Sequence, residues 1–256
     1  MPDYTLKELM TIAAAREIKD GDIVFCGTGI SMVASMAAKH ISAPNSVIFF
    51  ETGAIDSKLE EVPMAVADPR VMLGASVNGS LADAFATMQN RFTGKRVVGV
   101  MGAAQIDPYG NLNSTVIGDY WKPKVRFSGS GGACDVASFV NRTIIFMQHE
   151  KRKFVPTLHY MTSPGWVDGP GGRARVGLSE DSGPAAVITN MAVMRFSKET
   201  KRMYLEGYYP GVTPEKVSEN TGFEVDISQA AEVAPPTAGE LKILRERCDP
   251  QGLILG

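Results

Sequence analysis

Cysteine is scarce in this chain. Its three cysteines, Cys26, Cys134 and Cys248, lie far apart, form no C-x-x-C pair and have no histidine at metal-ligand spacing. That argues against a disulfide scaffold and a structural zinc, and it fits a reducing compartment. Neither sign of charge is in excess: 26 Lys and Arg against 28 Asp and Glu leave a net charge of −2, too balanced to draw in nucleic acid or anionic lipid. No window approaches about 18 uninterrupted apolar residues. The opening Met1-Pro2-Asp3-Tyr4-Thr5 lacks the basic and apolar stretches of a secretory leader. We therefore expect a cytoplasmic protein with no membrane span. The G-x-G-x-x-G, G-x-x-x-x-G-K-[ST] and G-x-S-x-G motifs are all missing, so dinucleotide, P-loop and serine-hydrolase readings get little support.

What is present is an ordinary interior and a clear order of elements. The 256 residues, 44% hydrophobic, are enough to bury a large core, and we read them as a single domain spanning 1–256. Thr5-Leu6-Lys7-Glu8 is a capped helix start whose apolar face (Leu9, Ile12, Ala13, Ile18) runs to Asp20-Gly21. Ile23 to Cys26 is a short apolar strand, Gly27-Thr28-Gly29 a glycine turn, Met32 to His40 a small-residue helix, and Val47 to Phe50 a second strand. The result is a βαβ unit, which implies parallel pairing. Further strands are expected at Arg96–Met101 and Thr143–Met147, with a short helix from about Asp135. Ala186–Thr189, Val193–Phe196 and Met203–Tyr209 read as antiparallel strands, Thr213-Pro214-Glu215 as a helix start, and the stretch from Thr237 as a last amphipathic helix. The expected fold is α/β: a largely parallel open sheet flanked by helices, with an antiparallel portion toward the C-terminus. Two long loops, within 102–135 and 163–184, are of a length usually tied to function or to a partner.

Glu51 stands out chemically. It follows the strand Val47 to Phe50 and precedes Thr52-Gly53, and open α/β sheets place ligands at the carboxyl ends of their strands. A carboxylate poorly hydrated beside an apolar strand is a better nucleophile; the competing reading is a surface glutamate opening a loop. Asp56, Glu60 and Glu61 read as solvated charges. Gly27 to Gly29 and Gly129 to Gly132 precede helices, where free N–H groups could hold an anion or oxyanion, or the glycines could simply make tight turns. Cys134 lies beside the second cluster, and a buried structural thiol is the commoner case. His149 and His159 lack the motif context of a general base. Lys151-Arg152-Lys153 reads as a solvated basic face, though it could also meet a phosphate or a partner carboxylate.

Longer matches carry more weight than these. Glu51-Thr52-Gly53 through Glu61-Val62-Pro63 and Ala104 through Asn111, with Asn113-Ser114-Thr115 and Ile117-Gly118-Asp119-Tyr120, form the first of them. Gly129 to Ala133, Met147 to Arg152, and Thr162 to Trp166 with Asp168 to Gly172 complete the set. Over nearly its whole length the chain resembles the β subunits of family I CoA-transferases of the glutaconate type. The resemblance implies an α/β subunit that works with a homologous α subunit, with the active site at their interface. It implies that Glu51 attacks an acyl-CoA, passing through an anhydride to a glutamyl-CoA thioester, so that transfer to a carboxylic or dicarboxylic acid is ping-pong. Gly131 and Gly132, with Ala133, match a glycine-rich segment near the thioester, and Gly27 and Gly29 join them as binding candidates. Coenzyme A is implied as a substrate, with no metal and no tightly bound cofactor.

Two features depart from that pattern. Thr52 stands where the resemblance has Ser, and Met72 to Asn90 finds no match. Relatives lacking the glutamate decarboxylate CoA esters or open their rings, so the alternative is a hydrolase, decarboxylase or ring-cleaving enzyme with Glu51 as general base. A non-catalytic subunit that senses a CoA ester is a third reading.

Overall fold

The computed structural model describes residues 3–90 and 93–256; Met1 and Pro2, which open the polar N-terminus, lie outside the described residues. The chain divides into two compact units, Met1–Val100 with Pro235–Gly256, and Met101–Ala234.

In the first unit, α1 (Leu6–Ala15) begins at a reciprocal capping box: Thr5 accepts from the Glu8 N–H and the Glu8 carboxylate accepts from the Thr5 N–H. Such a cap stabilises a helix end by about 1 kcal/mol. The helix stops at Ala15, earlier than the apolar face suggests, and tighter turns at Glu17 and Ile18 bring Ile18 into the core. Strand β1 (Ile23–Phe25) and helix α2 (Ile30–Ile41) follow. Strand β2 (Val47–Phe49) pairs parallel with β1, Phe25 opposite Phe49, so the expected βαβ unit is present. Then come β3 (Ala54–Ile55), β4 (Val77–Asn78), α3 (Leu81–Gln89) and β5 (Val97–Gly102), which pairs parallel with β1. Strand order in this unit is β5-β1-β2-β3-β4, parallel at its centre and antiparallel at the β3 and β4 edge. The unmatched stretch 72–90 thus holds the outer strand β4 and the whole of α3, whose Phe85 ring meets Phe25 edge-on at 6.1 Å.

The second unit carries two small hairpins, β6 (Gln105–Ile106) with β7 (Leu112–Asn113) and β8 (Val116–Gly118) with β9 (Pro123–Arg126). Helix α4 (Ala133–Phe139) leads into β10 (Arg142–Met147), and the four-residue α5 (Gly172–Arg175) leads into β11 (Gly183–Thr189). Next are β12 (Ala192–Phe196), β13 (Met203–Tyr208), α6 (Pro214–Glu219) and β14 (Ala231–Glu232). Strands β10 and β11 pair parallel, β11-β12-β13 antiparallel and β13-β14 parallel. The antiparallel portion toward the C-terminus is where the sequence puts it. The chain returns to the first unit in α7 (Ala238–Ile243), capped by Thr237 and Glu240, and widens to a π turn over Leu244–Cys248. No described helix is long and apolar enough to cross a membrane.

Candidate functional site

The first unit holds Glu51, Gly27 and Gly29; the second holds Gly131, Gly132 and Ala133. Glu51 sits at the tip of the turn joining β2 to β3, which is closed by Gly53 N–H donating to the Phe50 carbonyl at 3.0 Å. Gly53 has φ +98°, and a Cβ there would lie 2.3 Å from the Gly79 carbonyl oxygen. Only glycine fits this corner. The Gly79 N–H clamps the turn from outside by donating to the Gly53 carbonyl at 2.9 Å. The unmatched 72–90 stretch therefore fixes the Glu51 turn.

Behind the turn, Phe49 and Phe50 are fully buried. The Glu51 side chain is half-buried and, among the described residues, forms no hydrogen bond or ion pair. Next to it the Thr52 hydroxyl is buried without a hydrogen-bond partner, a cost of about 1–3 kcal/mol for a group left unsatisfied.

The β1–β2 register, prolonged by Cys26 N–H donating to Phe49 carbonyl at 3.0 Å, brings Gly27 and Glu51 to the same carboxyl edge. Gly29 is the N-cap of α2, with φ +78° and no side-chain cap. The N–H groups of Gly27, Thr28 and Gly29 have no acceptor among the described residues. Free N–H groups at the start of a helix attract negative charge. A carboxylate and a row of unused donors therefore share one edge. Cys26 is sealed beneath them, its thiol pushed up to about 12 by burial, and it is not a nucleophile.

In the second unit the glycine segment shows a division of labour. Gly129 donates to the Ser114 carbonyl and Ala133 to the Ser130 carbonyl, at 3.1 and 2.9 Å. The N–H groups of Gly131 and Gly132 are left without an acceptor among the described residues. Gly131 has φ +49° and nothing within 4 Å of an added Cβ, so it faces open space. Of the three candidates here, the Ala133 N–H is already committed. Cys134, read as a buried thiol, is instead exposed, because α4 turns that face outward.

Several conspicuous residues prove structural. The His149 ring stacks on Phe154 at 4.1 Å, with Nε2 2.9 Å from the Thr221 hydroxyl and Nδ1 3.2 Å from that of Thr189. Burial pushes its imidazole down to about 4. His159 Nδ1 accepts from the Gly118 N–H at 3.1 Å. Lys153 and Arg152 pair with Glu150 on the surface. Asp56, expected to be solvated, is held by Lys39 at 2.6 Å and takes φ +55°.

The buried Asp107 carboxylate accepts from the Tyr109 and Asn111 N–H groups, and Asn111 bonds Gly165 and Val167 across the loop. Arg173, 1% exposed, is held by oxygens of Ala137, Ser138, Gly165, Ser179 and Ser182 and by no carboxylate. A cavity of about 580 Å³ in the first unit is lined by Met36, Lys39, His40, Ile48 and Asp56 among others and excludes Glu51. There, burial, then Arg247 and Lys39, hold the His40 imidazole below its ordinary value. The described residues hold no cluster of three or more His, Cys, Asp or Glu able to bind a metal.

The family model for coenzyme A transferase matches residues 7–220. The B subunit of glutaconate CoA-transferase from Acidaminococcus fermentans is 46% identical over 97% of this chain and 94% of its own length. The B subunit of 3-oxoadipate CoA-transferase from Pseudomonas knackmussii is 37% identical over 96% of this chain and 94% of its own. The crystal structure of glutaconate coenzyme A-transferase from Acidaminococcus fermentans matches with a TM-score of 0.95 at 44% identity, covering 99% of this chain and 98% of that one.

Proposed function

The chain belongs to the coenzyme A transferase family, and from that premise we propose that it is the β subunit that supplies the nucleophile, Glu51, for moving CoA from an acyl-CoA to a small mono- or dicarboxylic acid. The observation that carries this reading is the Glu51 carboxylate, without a partner among the described residues, at the tip of the β2–β3 turn and on one edge with the unused N–H groups of Gly27 to Gly29. The two relatives above are each named as one subunit of an enzyme, which supports a second, homologous α subunit as the working partner, the whole span 1–256 acting as one β-subunit domain.

A Glu51 carboxylate oxygen attacks the thioester carbonyl, the C–S bond breaks, and CoA departs as thiolate from an acyl-glutamyl anhydride. The thiolate then attacks the glutamyl carbonyl, releasing the first acid as its carboxylate and leaving Glu51 as a CoA thioester. The acceptor carboxylate reverses both steps and carries CoA away, restoring Glu51. An anhydride is reactive enough to conserve the energy of the thioester, which is why a carboxylate serves here. The N–H groups of Gly131 and Gly132 suit an oxyanion or the amides of the pantetheine arm. CoA enters as substrate, and no bound cofactor is required.

The test is trapping. Incubating the two-subunit enzyme with acyl-CoA and no acceptor should release free acid and leave a borohydride-reducible adduct on the Glu51 peptide. Glu51→Gln should abolish the adduct and lower transfer by roughly 10³-fold or more. Full transfer by Glu51→Gln, or release of free CoA without any acceptor acid, would sink the reading.

A further inference from the structure

Among the described residues the most exposed aromatic side chain lies on the β8–β9 hairpin, and none of the chemistry above uses it. Trp121 is 88% exposed. Tyr120 meets its ring edge-on at 5.0 Å and stacks on Tyr160 at 5.3 Å and 25°. The Arg126 guanidinium lies 4.6 Å over the Tyr120 ring and donates to the Tyr120 carbonyl at 2.6 Å. Lys122, Lys124 and Arg126 are exposed and form no ion pair among the described residues. The one acid between Val116 and Arg126, Asp119, accepts at a single oxygen, Oδ1, from the Trp121 and Lys122 N–H groups, at 2.8 and 2.9 Å. Between Val116 and Arg126 there are thus three cations against one acid, in a chain whose net charge is −2.

We propose that this hairpin binds the adenosine-phosphate end of coenzyme A, with the base on Trp121, whose ring Tyr120 props from the side, and the phosphates met by Lys122, Lys124 and Arg126. An aromatic patch alone would suit a protein partner equally well. Rings interleaved with unpaired cations suit a planar base that carries phosphates on both sides of its ribose. The hairpin also runs straight into the glycine segment: Phe127 donates to the Thr115 carbonyl and Gly129 to the Ser114 carbonyl, and Gly131 and Gly132 follow. One continuous stretch of the second unit, 118–132, thus offers an open ring, cations and free N–H groups to a single ligand. The proposal rests on coenzyme A being the substrate, and its test is independent of Glu51.

Trp121 is one of two tryptophans in this chain, and the difference between wild type and Trp121→Phe isolates its emission from that of Trp166 and of the second subunit. In the two-subunit enzyme, adenosine 3′,5′-bisphosphate should shift tryptophan emission saturably and pantetheine should not, and the shift should vanish in Trp121→Phe. Stacking of this kind corresponds to about a tenfold or larger effect on truncation. Trp121→Ala should therefore raise KM for the acyl-CoA by that factor, and Lys124→Ala with Arg126→Ala should raise it further, most at low salt. Emission unmoved by saturating CoA would overturn the proposal. So would a Trp121→Ala variant that fails to co-purify with the second subunit yet binds CoA normally, since the hairpin would then be a subunit contact. Borohydride trapping on Glu51 at saturating acyl-CoA answers the separate question of the nucleophile.

Discussion

At the Asp107–Asn111 turn the buried Asp107 and Asn111 side chains find partners, Asp107 within the turn and Asn111 also across to Gly165 and Val167. At the Phe50–Gly53 turn the backbone is held just as firmly, by Gly79 from outside, yet the Glu51 carboxylate and the Thr52 hydroxyl find no partner among the described residues. Both turns fall in stretches that carry the family resemblance. The contrast lies in satisfaction: folding completes one set of polar groups and leaves the other open to a molecule that has not yet arrived.

That contrast can be pressed from the closed side first. Asn111→Ala removes the side-chain bonds to Asp107, Gly165 and Val167 at once and should destabilise by about 4 kcal/mol, seen as a lower denaturant midpoint. Glu51 labelling should fall only in proportion to the folded fraction. If the variant kept wild-type stability but lost labelling, the two turns would be coupled in a way their separate units do not suggest.

His149 also belongs to the closed side, and it titrates. Because burial lowers its folded pKa from 6.5 to about 4, the unfolded chain binds a proton that the folded chain does not. The stabilising contribution is complete above about pH 6.5 and drains away as pH falls toward 4. It amounts to about 3 kcal/mol in all. Unfolding free energies measured across this window should slope upward with pH by close to one proton, and His149→Gln should flatten the slope; an unchanged slope would place the titration elsewhere.

The smallest change is expected on the open side. Glu51→Gln breaks no bond among the described residues, so its stability should stay within about 0.5 kcal/mol of wild type while the chemistry is lost. A large loss of stability would mean that Glu51 is a structural residue after all.

The central strands were legible because Ile23–Phe25, Val47–Phe49 and Val97–Gly102 are unbroken apolar runs. Strands β3 and β4 were not, being two residues each, too short for any period to register. Helix α3 escaped for a related reason: Leu81 is 58% exposed and only Ala84 and Met88 are buried, leaving a weak apolar face. At the candidate site, strand-end logic drew attention to Glu51. It had no way to reveal that Gly53 and Gly79 lock the turn, or that Ala133 is spent while Gly131 and Gly132 are free, because those facts depend on partners far along the chain. Cys134 misled for the opposite reason: thiols are usually buried, and here a short surface helix carries one outward.

Arg173 shapes how the long loop ahead of β11 behaves. Burial lowers its guanidinium only to about 10, so the positive charge stays in place at every pH the cell offers. Amide oxygens from the end of α4, from Gly165 and from Ser179 surround that charge, and pulling any of them away would require water to follow the cation inward. The segment from Gly165 to Ser182 is thereby pinned to the end of α4 by a single buried cation.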